Sequence, residues 1–266
     1  MPSFEIAGHH RVWHLGLGIG VSILVVLLAA VAGVWYFLIR SPSTEVGLRQ
    51  ALTLYRHGHS GSDQGLPAPG VYRYSTSGNE ALSLAGANRT FPTTSYMIVN
   101  DAGCASERWE PDEQHIEGLV ICPSSHGGFT TSGASSFEQI AGTNTTQIIT
   151  CPATTTFLPA HPRAGQRWQA TCRTSGSSVL LAGQVIGRSS VMVGSQSVPT
   201  VHTRLTFTFG GGEVGTNPTD YWLSPSTGVV VRESETVRIA QSVGPLGSVQ
   251  YSERMAIALA TFTPER

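Results

Sequence analysis

The residues with the most specific chemistry in this chain are Arg56, His57 and Gly58, which close the run "LTLYRHG". A histidine set between an arginine and a glycine can accept a phosphoryl group while the guanidinium clamps its oxygens. His59 adds a second imidazole, but two histidines without acidic or cysteine partners in the same segment make an incomplete metal set. The acidic run "SERWEPDEQHIE" gathers Glu107, Glu110, Asp112, Glu113 and Glu117, carboxylates that suit Ca²⁺ or general acid–base work. It lacks the ordered spacing and central glycine of a calcium loop, so it reads as a solvated hairpin. Glu233 and Glu235 share a strand face by spacing, and the nearby Arg232 and Arg238 read as surface charge partners. Trp109, Trp168, Tyr221 and Trp222 could floor a ligand cleft, although strand aromatics more often pack a core.

The elements around these residues decide between the readings. Ser43 or Thr44 can cap a helix whose apolar positions Val46, Leu48, Ala51, Leu52 and Tyr55 recur at helical spacing, giving a short amphipathic helix over 44–56. Residues 57–70, "HGHSGSDQGLPAPG", read as a linker. From Val71 onward the pattern is that of strands. The clearest runs from Val201 to Phe209, where Val201, Thr203, Leu205, Phe207 and Phe209 alternate with His202, Arg204, Thr206 and Thr208. Other strands are expected at 71–76, 95–100, 106–110, 118–122, 145–151, 167–173, 179–193 with a break at Gly187, 220–223, 228–239 and 249–262. Glycine- and proline-rich punctuation such as "FGGGE" and "SPSTG" makes hairpins the dominant connection. The fold class is therefore mainly β: a single large antiparallel sheet over 71–266, half-barrel or sandwich-like.

That pattern removes the phosphoryl-transfer reading. The "RHG" signature of histidine phosphatases needs an α/β core that brings a second His and a second Arg to the phosphate, and this chain supplies hairpins instead. Arg56, His57 and His59 then read as solvated cations at a helix C-terminus, where they suit the helix dipole. Composition excludes further classes. All sixteen Lys and Arg positions are Arg, so phosphate loops, Schiff-base sites and Ser-x-x-Lys acyl enzymes lack their amine. A net charge of -1 with 12% charged residues leaves no basic footprint for nucleic acid. No metal site, cofactor site or catalytic set is assigned, and the ligand-binding residues are left open.

Residues 15–39, "LGLGIGVSILVVLLAAVAGVWYFLI", carry no charge between Arg11 and Arg40 and are long enough to cross a bilayer core of about 30 Å. Trp13, Trp35 and Tyr36 stand where interfacial aromatics anchor a span. A cleaved signal peptide ending near Ala30-Val31-Ala32 is the rival reading, disfavoured because the apolar run continues to Ile39. Cys104, Cys122, Cys151 and Cys172 all lie beyond the span, in even number and without metal-knuckle spacing, which points to two disulfides and an oxidising compartment. The favoured pairing is Cys104 with Cys122 and Cys151 with Cys172, each closing a short loop. The expected organisation is a cytoplasmic N-terminus at 1–14, a span at 15–39, helix and linker at 40–70 and an extracytoplasmic β domain at 71–266.

The segments "PGVYRYSTSG", "AGQRWQATC", "VGSQSVPTVHTRLTF" and "DYWLSPSTGVVVRESET" resemble a family of uncharacterised single-span actinobacterial envelope proteins. Their outer domain is similar to the large twisted sheets of lipoprotein-localisation (LolA-like) folds. The resemblance implies an architecture and an address, and members of the broader fold often cradle an acyl chain. The expected role is a membrane-anchored, non-enzymatic domain that binds a lipid, another apolar molecule or an envelope protein. Two alternatives are an envelope hydrolase using His115, His126, His161 or His202 with a Ser and a carboxylate, and a structural subunit of a membrane assembly. The third is supported by Gly16 and Gly20 on one face of the span.

Overall fold

Strict alternation along Val201–Phe209 sends five side chains, all buried, to one face and polar ones to the other. The same two-residue period repeats from strand to strand and builds a closed wall. The computed structural model describes residues 43–58, 67–83, 86–101, 103–140, 143–242 and 247–266. The apolar run at 15–39, with both of its flanks, lies outside the described residues, as does His59. Among the described residues no helix is long and apolar enough to cross a membrane.

Among the described residues one helix, α1 (Leu48–Gly58), precedes fourteen strands. These are β1 (Gly70–Leu82), β2 (Ala87–Thr90), β3 (Thr94–Asp101), β4 (Ala105–Asp112), β5 (His115–Pro123), β6 (Phe129–Ile140) and β7 (Thr143–Thr150). They continue with β8 (Thr156–Leu158), β9 (Arg167–Arg173), β10 (Ser178–Val193), β11 (Gln196–Phe209), β12 (Glu213–Leu223), β13 (Val230–Ser242) and β14 (Ser248–Leu259). Neighbours pair antiparallel around the sheet, and β14 pairs back onto β1, with Tyr74 opposite Leu259 and Leu82 opposite Tyr251. The expected half-barrel or sandwich is therefore a closed barrel. Closure removes the two edges that an open sheet would expose.

Two of the strands are continuations of others. Asn79 faces Thr90 and Ser75 faces Thr94, one register shared by β2 and β3, which makes them a single strand interrupted at Phe91, Pro92 and Thr93. Pro92 has no N–H to give to a ladder. Gly78, at φ +141°, sits opposite Met255 where a Cβ would meet the Arg254 carbonyl at 2.1 Å, so only glycine permits β1 and β14 to approach there. In the same way β8 follows β7 along β6 after an excursion at 151–155.

The barrel has two unlike ends. The strand ends at Leu82, Ile140, Phe209, Glu213 and Val249 form one rim, which we call the upper. Below it the interior is filled by two apolar clusters. One includes Phe157, Leu181, Val201, Leu205 and Leu223, and the other Tyr72, Val99, Val193, Val231 and Leu259. α1 lies on the outer wall, where Ala51 and Tyr55 pack with Val46, Val71 and Ile98.

Most strands stand where their periodicity places them, and the break at Gly187 is a bulge between Val185 and Gly187. β6, "FTTSGASSFEQI", has no apolar alternation to announce it and exists because β5 and β7 hold both its edges. α1 begins at Leu48 because the expected cap is used elsewhere. Thr44 N donates to Gln114 Oε1 at 3.0 Å, Glu113 N donates to the Thr44 carbonyl at 3.0 Å, and Glu45 bridges Asp112. Both expected disulfides are formed, Cys104 with Cys122 and Cys151 with Cys172.

Candidate binding site in the barrel lumen

Inward positions on ten strands converge beneath the upper rim on a cavity of about 400 Å³, within the range of small-molecule sites. Period-2 geometry puts the acidic residues there. On β13, Glu233 and Glu235 share the inward face with Val231 and Val237, while Arg232 and Arg238 are exposed on the outer face. On β5 the inward face reads His115, Glu117, Leu119, Ile121, and on β14 it reads Tyr251, Glu253, Met255, Ile257. Glu107 on β4, Glu138 on β6 and Trp109 complete the belt. Above it, Leu82, Ile140, Phe209, Ile239 and Val249 give the cavity an apolar collar.

These placements correct two sequence readings. The acidic run is not a solvated hairpin: Glu107, Glu110 and Asp112 are buried and Glu117 lines the cavity, with only Glu113 exposed. Glu233 and Glu235 are not surface partners of Arg232 and Arg238, because odd and even positions of a strand point to opposite sides. Of the four aromatics, Trp109 and Tyr221 line the cavity. Trp168 lies across Gly183 and donates its indole N–H to the Thr156 carbonyl at 2.7 Å. Trp222 is outside, its ring stacked on His202 and carrying Arg232 over its face.

One end of the belt is held by ion pairs. Arg89 forms a very short contact with Glu80, lies 3.1 Å from Asp112 Oδ1, and donates to the carbonyls of Gln114 and Gln139. Glu80 also faces His115 Nδ1 at 3.2 Å and accepts from the Tyr251 hydroxyl at 2.7 Å. His115 Nε2 lies 3.1 Å from Glu117 Oε1 and 3.9 Å from Glu253 Oε1. Burial pushes the Glu80 carboxyl up, but the hydrogen bond and charge of His115 and the charge of Arg89 outweigh it and hold the group below its ordinary value. Burial pushes the His115 imidazole down, yet the charge of Glu253 and the bonds to Glu117 and Glu80 raise it well above its usual range.

The other carboxyls have no such cation. Burial raises Glu107 to about 8 and Glu138 to about 7. Burial also raises Glu253, to about 8, against the pull of His115. Glu233 and Glu235 are held well above the carboxylate range, first by burial and then by Glu117. Much of the belt is therefore protonated near neutral pH and can donate as well as accept hydrogen bonds.

The described histidines do not assemble a nucleophile. His115 bonds two carboxylates, and His202 Nε2 bonds Asp220 at 2.8 Å on the outer wall. His126 and His161 are exposed on loops. Among the described residues, no histidine side chain bonds both a hydroxyl and a carboxylate, the arrangement that the hydrolase reading requires. Arg56 and His57 are exposed on the last turn of α1, away from the lumen.

No family model matches the chain, and no curated protein matches it. Among solved structures it is similar to the hypothetical lipoprotein YmcC from Escherichia coli (K12), at 10% identity and a TM-score of 0.34, covering 83% of this chain and 99% of that one. At that likeness no site or activity carries over.

Proposed function

We propose that the barrel is a binding domain for a small amphipathic molecule without a negatively charged head. The observation that carries this reading is the layering of the cavity, an apolar collar over a belt of buried carboxyls. A molecule seated there buries its apolar part against Leu82, Phe209 and Ile239 and presents hydroxyl, amide or amine groups to Glu107, Glu233 and Glu235. A phosphate or sulfate would bring its charge into a low-dielectric site whose described cations are already taken up by Glu80, Asp112 and Glu117, which is strongly unfavourable.

The domain in this reading is extracytoplasmic and carried by a span at 15–39, an arrangement that the two disulfides favour. Supporting it, Thr44 and Glu45 are fastened to the β4–β5 turn at the upper rim, a few residues after the apolar run ends. The cavity collar then faces the bilayer from which an amphiphile would come.

Native mass spectrometry of the full chain in detergent, made in an oxidising host and compared with the denatured mass, tests the proposal. A released molecule with an apolar portion and an uncharged or cationic head is expected, and Ala134→Trp, which fills the lumen, should abolish it. Release of an anionic lipid, or of the same molecule from the Ala134→Trp chain, would overturn the reading.

A further inference from the structure

The belt holds more carboxyl groups than its cations can serve, and one atom shows where the shortfall lies. Glu253 is 2% exposed, its Oε2 lies 2.7 Å from the Tyr251 hydroxyl, whose one proton goes to Glu80, and its Oε1 has no hydrogen-bond partner. That oxygen is 3.9 Å from His115 Nε2, whose single N–H is directed to Glu117 Oε1 at 3.1 Å. That one N–H cannot also serve the Glu253 carboxyl. Glu117 in turn has carboxyl oxygens of Glu233 and Glu235 within 4.8 Å of its own. Around this point the only described cationic side chains are His115 itself and Arg89, and Arg89 is taken up by Glu80 and Asp112.

We infer that His115 Nε2, Glu117 and Glu253 Oε1 form a site for a divalent transition metal ion, with Glu233 and Glu235 behind Glu117 as further oxygen donors. A doubly charged ion between these atoms would satisfy both carboxylates where one N–H cannot. The far side of the ring supports the assignment. Nδ1 is bonded to Glu80, and Glu80 is fixed by Arg89 and Tyr251, so a carboxylate already orients the imidazole as it does behind metal-bound histidines. One imidazole among carboxylates suits Mn²⁺ or Zn²⁺ better than the all-oxygen surroundings that Mg²⁺ and Ca²⁺ prefer. Binding expels to solvent the Nε2 proton and the proton of the Glu253 carboxyl, since the ion takes their places.

The test uses the full chain in detergent, stripped with a chelator and titrated with Mn²⁺, Zn²⁺ or Mg²⁺ without any amphiphile. Bound metal is counted after gel filtration. One Mn²⁺ or Zn²⁺ per chain is expected, with Mg²⁺ failing to displace either. Glu253→Gln, which keeps the shape, should weaken binding at least about tenfold, and the positioning variant Glu80→Gln by about 10- to 100-fold. Glu213→Gln at the rim should leave it unchanged. Failure of the unaltered chain to retain either metal overturns the site and needs no variant that must fold. So does unchanged affinity in both Glu253→Gln and His115→Gln. Amphiphile release is measured separately with chelator present, so the two proposals fail independently.

Discussion

Cys151 and Cys172 are bonded one residue past Thr150 and Arg173, the single described pair that joins β7 to β9. Every other junction of the ring has a longer ladder, so this disulfide stands in for missing hydrogen bonds at the thinnest seam of the barrel. Both of its cysteines are buried, beside Phe157 and Val179 in the lower core.

Replacing Cys151 and Cys172 together by serine should lower stability by about 2–5 kcal/mol. The Cys104–Cys122 pair closes a loop of similar span, 18 against 21 residues, so loop entropy alone predicts similar losses. The seam adds a difference: urea midpoints should fall further for the 151/172 double variant. Equal midpoints would show that the seam holds without its staple.

Arg89 is surrounded by Glu80, Asp112 and two carbonyls, with its side chain 11% exposed. Arg89→Met leaves two buried carboxylates without their cation and should cost about 3–5 kcal/mol. Adding Glu80→Gln and Asp112→Asn should recover part of that loss. A triple variant no better than Arg89→Met in thermal melts would mean that the packing of the guanidinium, not its charge, is what matters.

The raised carboxyl of Glu107 makes a signed statement about pH. Folded, the group keeps its proton up to about pH 8, whereas unfolded it loses it near the ordinary value of 4.5. Between these limits the folded state binds more protons, so stability is greatest below the unfolded value and declines as pH rises through the folded one. Glu107→Gln should flatten this decline by about 1.4 kcal/mol per pH unit within that window. Parallel stability–pH curves for both chains would place the Glu107 proton elsewhere.

Gly183 faces Trp168 across the β9–β10 ladder, and a Cβ there would lie 2.1 Å from the indole ring. Gly183→Val must displace the ring, breaking its N–H bond to Thr156, and should destabilise by about 1–3 kcal/mol. Tryptophan fluorescence should shift to the red as Trp168 becomes wet. An unchanged spectrum would mean that the wall moves and the ring does not.

Much of this molecule was written in the order of its residues. Alternation along Val201–Phe209, the cysteine count and the turn residues were enough for an antiparallel β domain with two disulfides, because period, polarity and punctuation are local properties. The acidic belt was partly legible too. Glu233 and Glu235 alternate in step with Val231 and Val237, and separating the strand faces would have placed them away from Arg232 and Arg238. What local order could not give was the closure of β14 onto β1, which turns one face of the sheet into an interior. Nor could it show β6, whose serines and glycine become strand only between two partners. Whether a glutamate on the apolar face of a strand meets solvent, another sheet or six other carboxyls depends on which distant strands curl round to meet it. That is a property of the closed barrel, and it alone brought His115 and Glu117 of β5 together with Glu253 of β14.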